Sequence, residues 1–328
     1  MAVRAVRAPV RIARFRLAAG RALKPISEAH GVARAMLWAG AAITVFFVVL
    51  AVFAPLISPY KFNAYQAHGH RFPQLAHPSH AHWMGTTVQS SDVMARVIWG
   101  AQTELKVVVI ALAMALAVGV PLGLLSGYFG GPLDRGLVLI MDALFAFPYL
   151  LIAIVIAFLL SNSIGKGVLT AAIAITVAYV PLYFRVVRNH VISVREEPYV
   201  DAARALGARP WTVIRKYVFF NVVQNVPPIA TLNAADAILL LAALGFLGYG
   251  IQPTDGAEWG YDINRAVSDA SSGIWWTGLF PGLAIVLLVT GLTLLGEGLN
   301  ETMNPVLRRR RFGMIEFGPP TTEEAETL

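Results

Sequence analysis

Six runs of about 20 predominantly apolar residues divide this chain, and they restrict its fold more strongly than any other feature. A run of that length crosses the roughly 30 Å hydrocarbon core of a bilayer as an α-helix. Only helices and closed barrels satisfy their backbone hydrogen bonds in lipid, and these runs lack the alternation of a barrel strand. The sequence therefore predicts an all-α, polytopic membrane protein with six transmembrane helices, at about 36–57, 105–127, 137–160, 167–187, 222–247 and 277–299.

The positions of arginine and lysine predict which side of the membrane each connecting segment occupies. The N-terminal arm, the 185–216 segment and the arginines at 308–311 are basic, whereas the segments 58–104 and 248–276 hold few bases. Because cytoplasmic segments are enriched in basic residues, both termini are predicted to be cytoplasmic in a multi-pass protein of the cell membrane. The net charge of +7 fits an arm lying on anionic membrane lipid. No basic patch interleaved with aromatic residues indicates a nucleic-acid partner.

These features predict the organisation of the whole chain. We expect a basic cytoplasmic arm at 1–35, a first transmembrane helix at 36–57 and an extracytoplasmic loop at 58–104 with a lateral helix near 92–100. A core of five further transmembrane helices should follow at 105–307, with a cytoplasmic loop at 195–220. The chain should end in a basic, then disordered, cytoplasmic tail at 308–328. The absence of cysteine excludes disulfides and thiolate metal sites.

The cytoplasmic loop, "REEPYVDAARALGARPWTVIRKYVFF", predicts two short helices joined by a glycine corner. Its first helix places Tyr199, Ala202, Ala203 and Leu206 at i, i+3, i+4 and i+7, which is one apolar face. Gly207 suits a left-handed C-cap. A helix of eight or nine residues is marginal in water, so this face must pack either against the protein's own helix ends or in a groove of a cytosolic partner.

The second helix of the loop begins after the corner. Pro210 suits its first turn, and Trp211, Ile214 and Val218 are predicted to share one side of it.

Several motifs resemble those of one transporter family. "DAARALG", followed by a second amphipathic helix, resembles the cytoplasmic EAA loop of permease subunits from binding-protein-dependent ABC importers. "LFAFPYLLIAI" at 144–154, "ALGFLGYGIQP" at 243–253, "LFPGLAI" at 279–285 and "LLGEGLNETMNP" at 294–305 resemble the C-type permeases of dipeptide, oligopeptide and nickel importers. The likeness extends from residue 36 to about 308. It departs from the family at Asp201, where glutamate is usual, and at Phe220, Leu241, Thr87, Ser90 and Ser91.

This resemblance implies an ABC importer type I permease fold and an ATP-driven import function. The chain would form half of a translocation pathway for di- or oligopeptides, with nickel or another small solute as the alternative. It would pair with a homologous B-type permease subunit, with one or two ATPase subunits that hold ATP and magnesium, and with an extracytoplasmic solute-binding protein. The residues implied to couple the permease to the ATPase are Glu197, Tyr199, Asp201, Ala202, Ala203, Arg204, Leu206, Gly207 and Trp211.

No GxxxxGK[ST] run is present to cradle ATP, so this chain is not expected to be an enzyme or to hold a cofactor. Polar residues within the predicted spans mark candidates for the translocation pathway. These candidates are Asn233, Asp236 and Asp142. The two aspartates would each be costly against lipid, at about 2.5–3.5 kcal/mol, so we expect them to face the bundle. Each aspartate could instead have a structural role, and Arg135 or a helix end is then the expected partner of Asp142.

The histidines of the 58–104 loop leave a metal site open as a weaker alternative. His77, His80 and His82 have spacings that could ligate zinc or nickel, although a solvated polar loop explains them equally. A membrane-embedded metalloenzyme and a proton-driven secondary transporter using Asp236 are the functions of other classes that these residues allow. Neither an HExxH nor a GxSxG signature supports an enzyme.

The 248–276 segment has an acidic balance. Its acids, Glu258, Asp262 and Asp269, could with three tryptophans form a docking surface for an external binding protein. Membrane anchoring explains the tryptophans equally well.

Overall fold

The computed structural model describes residues 31–67, 69–224 and 226–303, so the predictions for the arm before residue 31 and for the tail lie outside the described residues. Within them, five helices are long and apolar enough to cross a membrane, and a sharply bent pair of shorter helices supplies a sixth crossing. The predicted all-α, six-span architecture is confirmed.

The helices are α1 Gly31–Val52, α2 Ala54–Ile57, α3 Val93–Phe129, α4 Gly131–Phe145, α5 Tyr149–Ile164, α6 Val168–Val194, α7 Pro198–Ala205, α8 Pro210–Val213, α9 Phe219–Val223, α10 Val226–Phe246, α11 Trp259–Ala270 and α12 Trp276–Met303. A π-helical turn, Ile214–Val218, joins α8 to α9. Two short strands, β1 Gln66–Ala67 and β2 His70–Arg71, pair antiparallel in the loop between α2 and α3.

The centre of the bundle is the packing of α3 against α6, and glycines at four-residue intervals explain it. A Cβ atom added at Gly119 would lie 2.8 Å from the Tyr183 Cβ, and one at Gly127 would lie 2.7 Å from the Val191 Cβ. Gly123 meets the backbone of Phe184 in the same way. Small residues spaced along one helix face let two backbones approach closely in a membrane. Glycines of α12 form a similar contact with α1 at Leu37 and Ile43.

The lateral helix predicted near residues 92–100 is not separate from the second crossing. Both belong to α3, because nothing breaks the helical ladder between them. Asp92 caps the start of α3 by accepting a hydrogen bond from the Ala95 N–H at 2.7 Å. Gly100 continues the helix and leaves room for the Trp259 indole, which lies directly against it. The separate short helix on this side of the bundle is α11, in the segment between the last two crossings.

The third crossing, predicted as one helix over 137–160, is bent. The axes of α4 and α5 meet at 91°. Pro148 lies at the break with φ −55° and ψ 126°, which is an extended conformation. A proline disfavours helical geometry in the residue before it, so the chain cannot continue straight through Phe147.

Candidate functional site

The glycine corner between α7 and α8 has the predicted left-handed geometry. Gly207 has a φ of +80°. The Ala208 N–H donates to the Ala203 carbonyl at 3.0 Å, and the Gly207 N–H donates to the Arg204 carbonyl at 2.9 Å. This pair of hydrogen bonds is the Schellman motif, which satisfies carbonyls at a helix end and fixes the direction of the following chain.

One face of this double helix packs against the permanent bundle. Val200 and Ala203 of α7 are buried, as are Val213 and Val218 after the corner. Val200, Val213 and Val218 belong to a single apolar cluster with residues of α3 and α6, and the buried members of this cluster are Leu124, Val187, Val191, Val200, Val213, Val218, Val222 and Val226. This cluster holds the short helices in place, so they do not depend on a partner to be folded.

No described residue covers the other face of the double helix, and the residues exposed there show that the apolar face predicted from the sequence is wrong. Of the four residues predicted to share that face, only Ala203 is buried, whereas Leu206 is 89% exposed and Tyr199 is 40% exposed. Trp211 is 63% exposed and does not share the buried side of Val218. The β-branched Val200, not Tyr199, is buried with Val187 and Val191 of α6. Two large apolar side chains, Leu206 and Trp211, therefore project beside the corner.

Polar contacts surround this exposed face. Asp201 and Arg204 form an exposed ion pair at 3.2 Å, one helical turn apart on α7. Exposed pairs of this kind contribute at most about 1 kcal/mol. The Arg204 guanidinium lies 5.4 Å from the centre of the Tyr128 ring. Asn221 of α9 donates a hydrogen bond to the Tyr199 hydroxyl at 3.0 Å, so α7 is tied to the segment that follows the corner. Ala202 is exposed, and Glu197 is the exposed N-cap residue of α7.

The segment after the corner runs almost continuously into the fifth crossing. The π-helical turn at Ile214–Val218 inserts one wide turn between α8 and α9. Only residues 224 and 225 then separate α9 from α10. π-helical turns occur frequently at functional sites, since the widened turn redirects the side chains that follow. The second helix predicted from the sequence is thus longer and less regular than expected.

Asn233 and Asp236, the candidates on α10, lie in different surroundings. Asn233 is 7% exposed, and no described atom accepts a hydrogen bond from its Nδ2. Asp236 is exposed on the surface of the chain and does not face the bundle as predicted. A carboxylate at that depth is costly against lipid.

Asp142 is paired, but not with the predicted residue. Its carboxylate accepts a hydrogen bond from Arg185 of α6 at 2.8 Å, and about half of each side chain is exposed. The prediction of Arg135 as the partner is wrong, because seven residues of helix place the two backbones about 10.5 Å apart. The Arg185 guanidinium also lies 4.2 Å from the centre of the Phe145 ring, beside the bend between α4 and α5.

A second ion pair of α4 was not found from the sequence. Arg188 of α6 donates through Nε and Nη2 to the two carboxylate oxygens of Asp134, at 2.5 and 2.7 Å. Ser126 of α3 donates to the same carboxylate at 2.5 Å. Two-pronged arginine–carboxylate contacts are strong and directional. This one joins three helices at the end of the bundle where the double helix lies, and its partners are too distant in sequence for spacing to reveal them.

A buried carboxylate pair at the opposite end of the bundle was also missed. Glu104 of α3 and Glu258, the N-cap residue of α11, are both fully buried, and the Trp259 N–H next to Glu258 donates a hydrogen bond to the Glu104 Oε1 at 3.4 Å. Glu258 accepts hydrogen bonds from the Gly260 and Tyr261 N–H groups, each at 2.7 Å. Burial raises the pKa of Glu258 to about 8 even though these two N–H groups lower it. A polar triplet, Gln102–Glu104, within an apolar run was the available signal.

The acidic docking surface predicted for the 248–276 segment is wrong. Asp262 is buried, and its carboxylate accepts a hydrogen bond from the buried Arg96 Nε at 2.7 Å. Burial raises the pKa of Asp262, against the lowering effect of Arg96. Asp269 and the indoles of Trp259 and Trp276 are buried as well. These side chains fasten α11 to the bundle and are not available to an external protein.

The histidines of the loop before α3 do not converge. His82 is buried, with its Nδ1 2.8 Å from an Asp92 carboxylate oxygen. The His77 ring lies against Trp276, at 4.4 Å between centroids, and His80 is exposed. No three histidine, aspartate or glutamate side chains come together as metal ligands in the part of the chain that the structure describes, which excludes residue 68 and both ends.

Comparison with protein families gives this arrangement a context. The family model for the binding-protein-dependent transport system inner membrane component matches residues 119–309. The chain belongs to this family. The match contains α4 to α12, including the double helix and its glycine corner. A second model, for the N-terminal transmembrane domain of oligopeptide transport permease C, matches residues 34–78 of the permease. The resemblance to C-type permeases drawn from the motifs is confirmed.

Curated relatives extend the comparison over most of the permease. It is 37% identical to a dipeptide transport system permease protein of Alkalihalophilus pseudofirmus, over 80% of this chain and 83% of that one. It is 32% identical to a probable D,D-dipeptide transport system permease protein of Escherichia coli, over 81% and 86%. A glutathione transport system permease protein of Pectobacterium atrosepticum is 32% identical over 70% and 75%.

A solved structure supports the fold. The inward-facing MetNI methionine ABC transporter matches with a TM-score of 0.53 and 19% identity, over 65% of this chain and 98% of that one. The permease thus has the fold of an ABC importer membrane subunit. It is a multi-span membrane protein of a transport system and not an enzyme by itself.

Proposed function

We propose that this permease is the C-type membrane subunit of an ATP-driven importer of di- or oligopeptides and forms half of the translocation pathway. Support for the substrate class comes from the relatives, which are named as permeases for dipeptides, D,D-dipeptides and glutathione. The nickel alternative has no such support among them. A peptide importer of this type also requires a solute-binding protein on the extracytoplasmic side.

The observation that carries the coupling role is the split burial of the double helix. Val200, Val213 and Val218 attach it to the bundle, while Leu206 and Trp211 project from it without cover among the described residues. Apolar side chains exposed beside a rigid corner are suited to a hydrophobic cleft on another protein. We assign that cleft to an ATPase subunit, of which one or two copies hold the ATP and magnesium. Both termini then lie on the same cytoplasmic side.

The contacts of the double helix allow it to transmit motion. The hydrogen bonds at Gly207 and the Asn221–Tyr199 bond make the corner one unit with the segment that leads to α10. A displacement of the corner by the ATPase is therefore passed to α10. Because α10 carries Asn233 and Asp236, the same displacement changes the surface that substrate would meet.

The position of Asp236 supports a pathway on this face of α10. An exposed carboxylate in a membrane crossing is stable only if it meets water or another protein. We propose that the homologous B-type subunit faces this surface across the pathway. Asp236 then offers a negative charge to the ammonium group of a peptide. The charge of Asp142 is already balanced by Arg185, so we propose that Asp142 lies at the rim of the pathway.

The test is to purify the permease with its partner subunits after changing Leu206→Glu. Since Leu206 is exposed and makes no core contact, the variant should insert and fold normally, yet it should fail to retain the ATPase subunit and lose ATP-dependent dipeptide uptake. Leu56→Glu is a matched control, because Leu56 is 81% exposed but lies in α2, at the opposite end of the bundle from the double helix. Full ATPase retention and uptake in Leu206→Glu would refute the coupling role. Uptake without any ATPase subunit would instead indicate a secondary transporter.

A further inference from the structure

An apolar groove runs between α1 and α3 on the outside of the bundle. It encloses about 370 Å³ and is lined mainly by Val48, Val52, Leu105, Val109 and Ile110. That volume lies within the range of about 300–1,000 Å³ that is typical of small-molecule sites. Val52 and Val109 are 63% and 64% exposed, so the groove opens outward from the helix pair. A surface of this composition on a membrane crossing faces lipid chains.

One cation lies at the head of the groove. Lys106 is exposed and is the only lysine or arginine between Arg96 and Arg135. Its ammonium donates to the Gln102 Oε1 at 2.8 Å, and Gln102 in turn donates to the Ala51 carbonyl at 2.8 Å near the end of α1. No carboxylate among the described residues forms an ion pair with Lys106.

The hydrogen bonds of Gln102 to Ala51 and Lys106 indicate how deep Lys106 lies in the membrane. Ala51 is one residue from the end of α1, so Gln102 lies level with the boundary of the first crossing. Lys106 is one turn, about 6 Å, further along α3 toward the membrane centre. A lysine at this depth extends its side chain back to the headgroup region and keeps its charge there. The ammonium and the apolar groove are therefore positioned to meet the two ends of one lipid molecule.

We propose that this groove is a binding site for an anionic phospholipid, with one acyl chain between α1 and α3 and the phosphate on Lys106. Charge complementarity selects the anionic class, because Lys106 has no anionic partner within the described chain. The polar lining consists only of Gln102 and Lys106, which leaves no group to balance a second cation on a zwitterionic headgroup. The site would fasten α1 to α3 from the lipid side.

Native mass spectrometry of the permease purified in its membrane complex tests this site. The probes are phosphatidylglycerol and phosphatidylcholine with identical acyl chains. We expect about fivefold stronger retention of phosphatidylglycerol, as estimated for one lysine near an anionic headgroup. Lys106→Gln should abolish the preference. Lys166→Gln, which removes another exposed lysine outside the groove, should retain it.

A second variant tests the contribution of the groove to lipid binding separately from that of the Lys106 charge. Val109→Trp fills the groove while Lys106 stays in place, so retention of both lipids should fall. Equal retention of the two lipids by the unchanged protein, or an unchanged preference in Lys106→Gln, would overturn the proposal. A photo-crosslinking residue at Val109 should label lipid, and a crosslink to another protein chain instead would also overturn it.

Discussion

The buried pair of Glu104 and Glu258 predicts how the stability of the permease depends on pH. Burial raises the pKa of Glu258 to about 8 in the folded protein, from its ordinary value near 4.5. The folded state therefore binds the proton more tightly than the unfolded state does. The contribution of this proton to stability is complete at pH 4.5 and below, and it is lost as the pH rises to 8.

The size of this effect follows from the two pKa values. A shift of one unit corresponds to about 1.4 kcal/mol, so raising the pH from 6 to 8 should remove about 2 kcal/mol of folding free energy. In a chain of 328 residues this corresponds to a decrease in melting temperature of about 2 to 4 °C. The relevant unfolding step releases α11, because the Glu258 carboxylate caps that helix through Gly260 and Tyr261.

Two glutamine variants isolate the titrating group. Glu258→Gln cannot ionise, so its melting temperature should lose this dependence on pH between 6 and 8. Loss of part of the cap should also lower its stability at pH 6 by about 0.5–2 kcal/mol. Glu104→Gln leaves Glu258 able to ionise and keeps a neutral group beside it, so it should retain the share of the dependence that Glu258 supplies.

The assay is thermal unfolding of the detergent-purified proteins at pH 6, 7 and 8, followed by tryptophan fluorescence. Titrating groups other than Glu104 and Glu258 are shared by all three proteins and cancel when their pH profiles are compared. A wild-type pH profile in Glu258→Gln would refute the argument, as would a flat profile in Glu104→Gln.

Other contacts give further predictions. Gly207→Val should impose about 1–2 kcal/mol of left-handed strain on the corner and abolish uptake, with membrane insertion unchanged. Gly207→Asn should retain uptake, because asparagine tolerates the left-handed conformation. Equal uptake by the two variants would contradict the role of the corner. Asp134→Asn should lower the melting temperature, by a loss of about 1–3 kcal/mol, because Arg188 is left partly buried without its carboxylate. Asp142→Asn, which breaks an exposed pair, should cost less than about 1 kcal/mol, and equal melting temperatures for the two aspartate variants would contradict this ranking.

Helix existence and the glycine corner could be predicted from the sequence because their causes are local. Apolar runs long enough to span a bilayer leave a helix as the favoured structure, and a glycine after a short amphipathic segment indicates the left-handed corner. Pro148 also indicates a break in the third crossing from the sequence alone. The angle of 91° between α4 and α5 could not be predicted in this way. The continuity of α3 could have been inferred from the absence of proline between Asp92 and Leu105.

The faces of the short helices could not be predicted, since two interpretations of α7 were equally apolar. Val200 and Tyr199 are adjacent, and only the position of α6 makes the first buried and the second exposed. The same holds for the ion pairs. Asp142 meets Arg185, and Asp134 meets Arg188, because α4 lies against α6, at sequence separations of 43 and 54 residues.

The sequence by itself determined that this protein crosses a membrane six times and which family it belongs to, because apolar length and ordered motifs are properties of the chain alone. Tertiary structure alone decided which acids are buried. The segment that contains Glu258 and Asp262 was predicted to be a docking surface, but these acids are buried and attach α11 to the bundle. The physical reason is that the state of a carboxylate depends on the dielectric and the partners around it, and distant helices supply both.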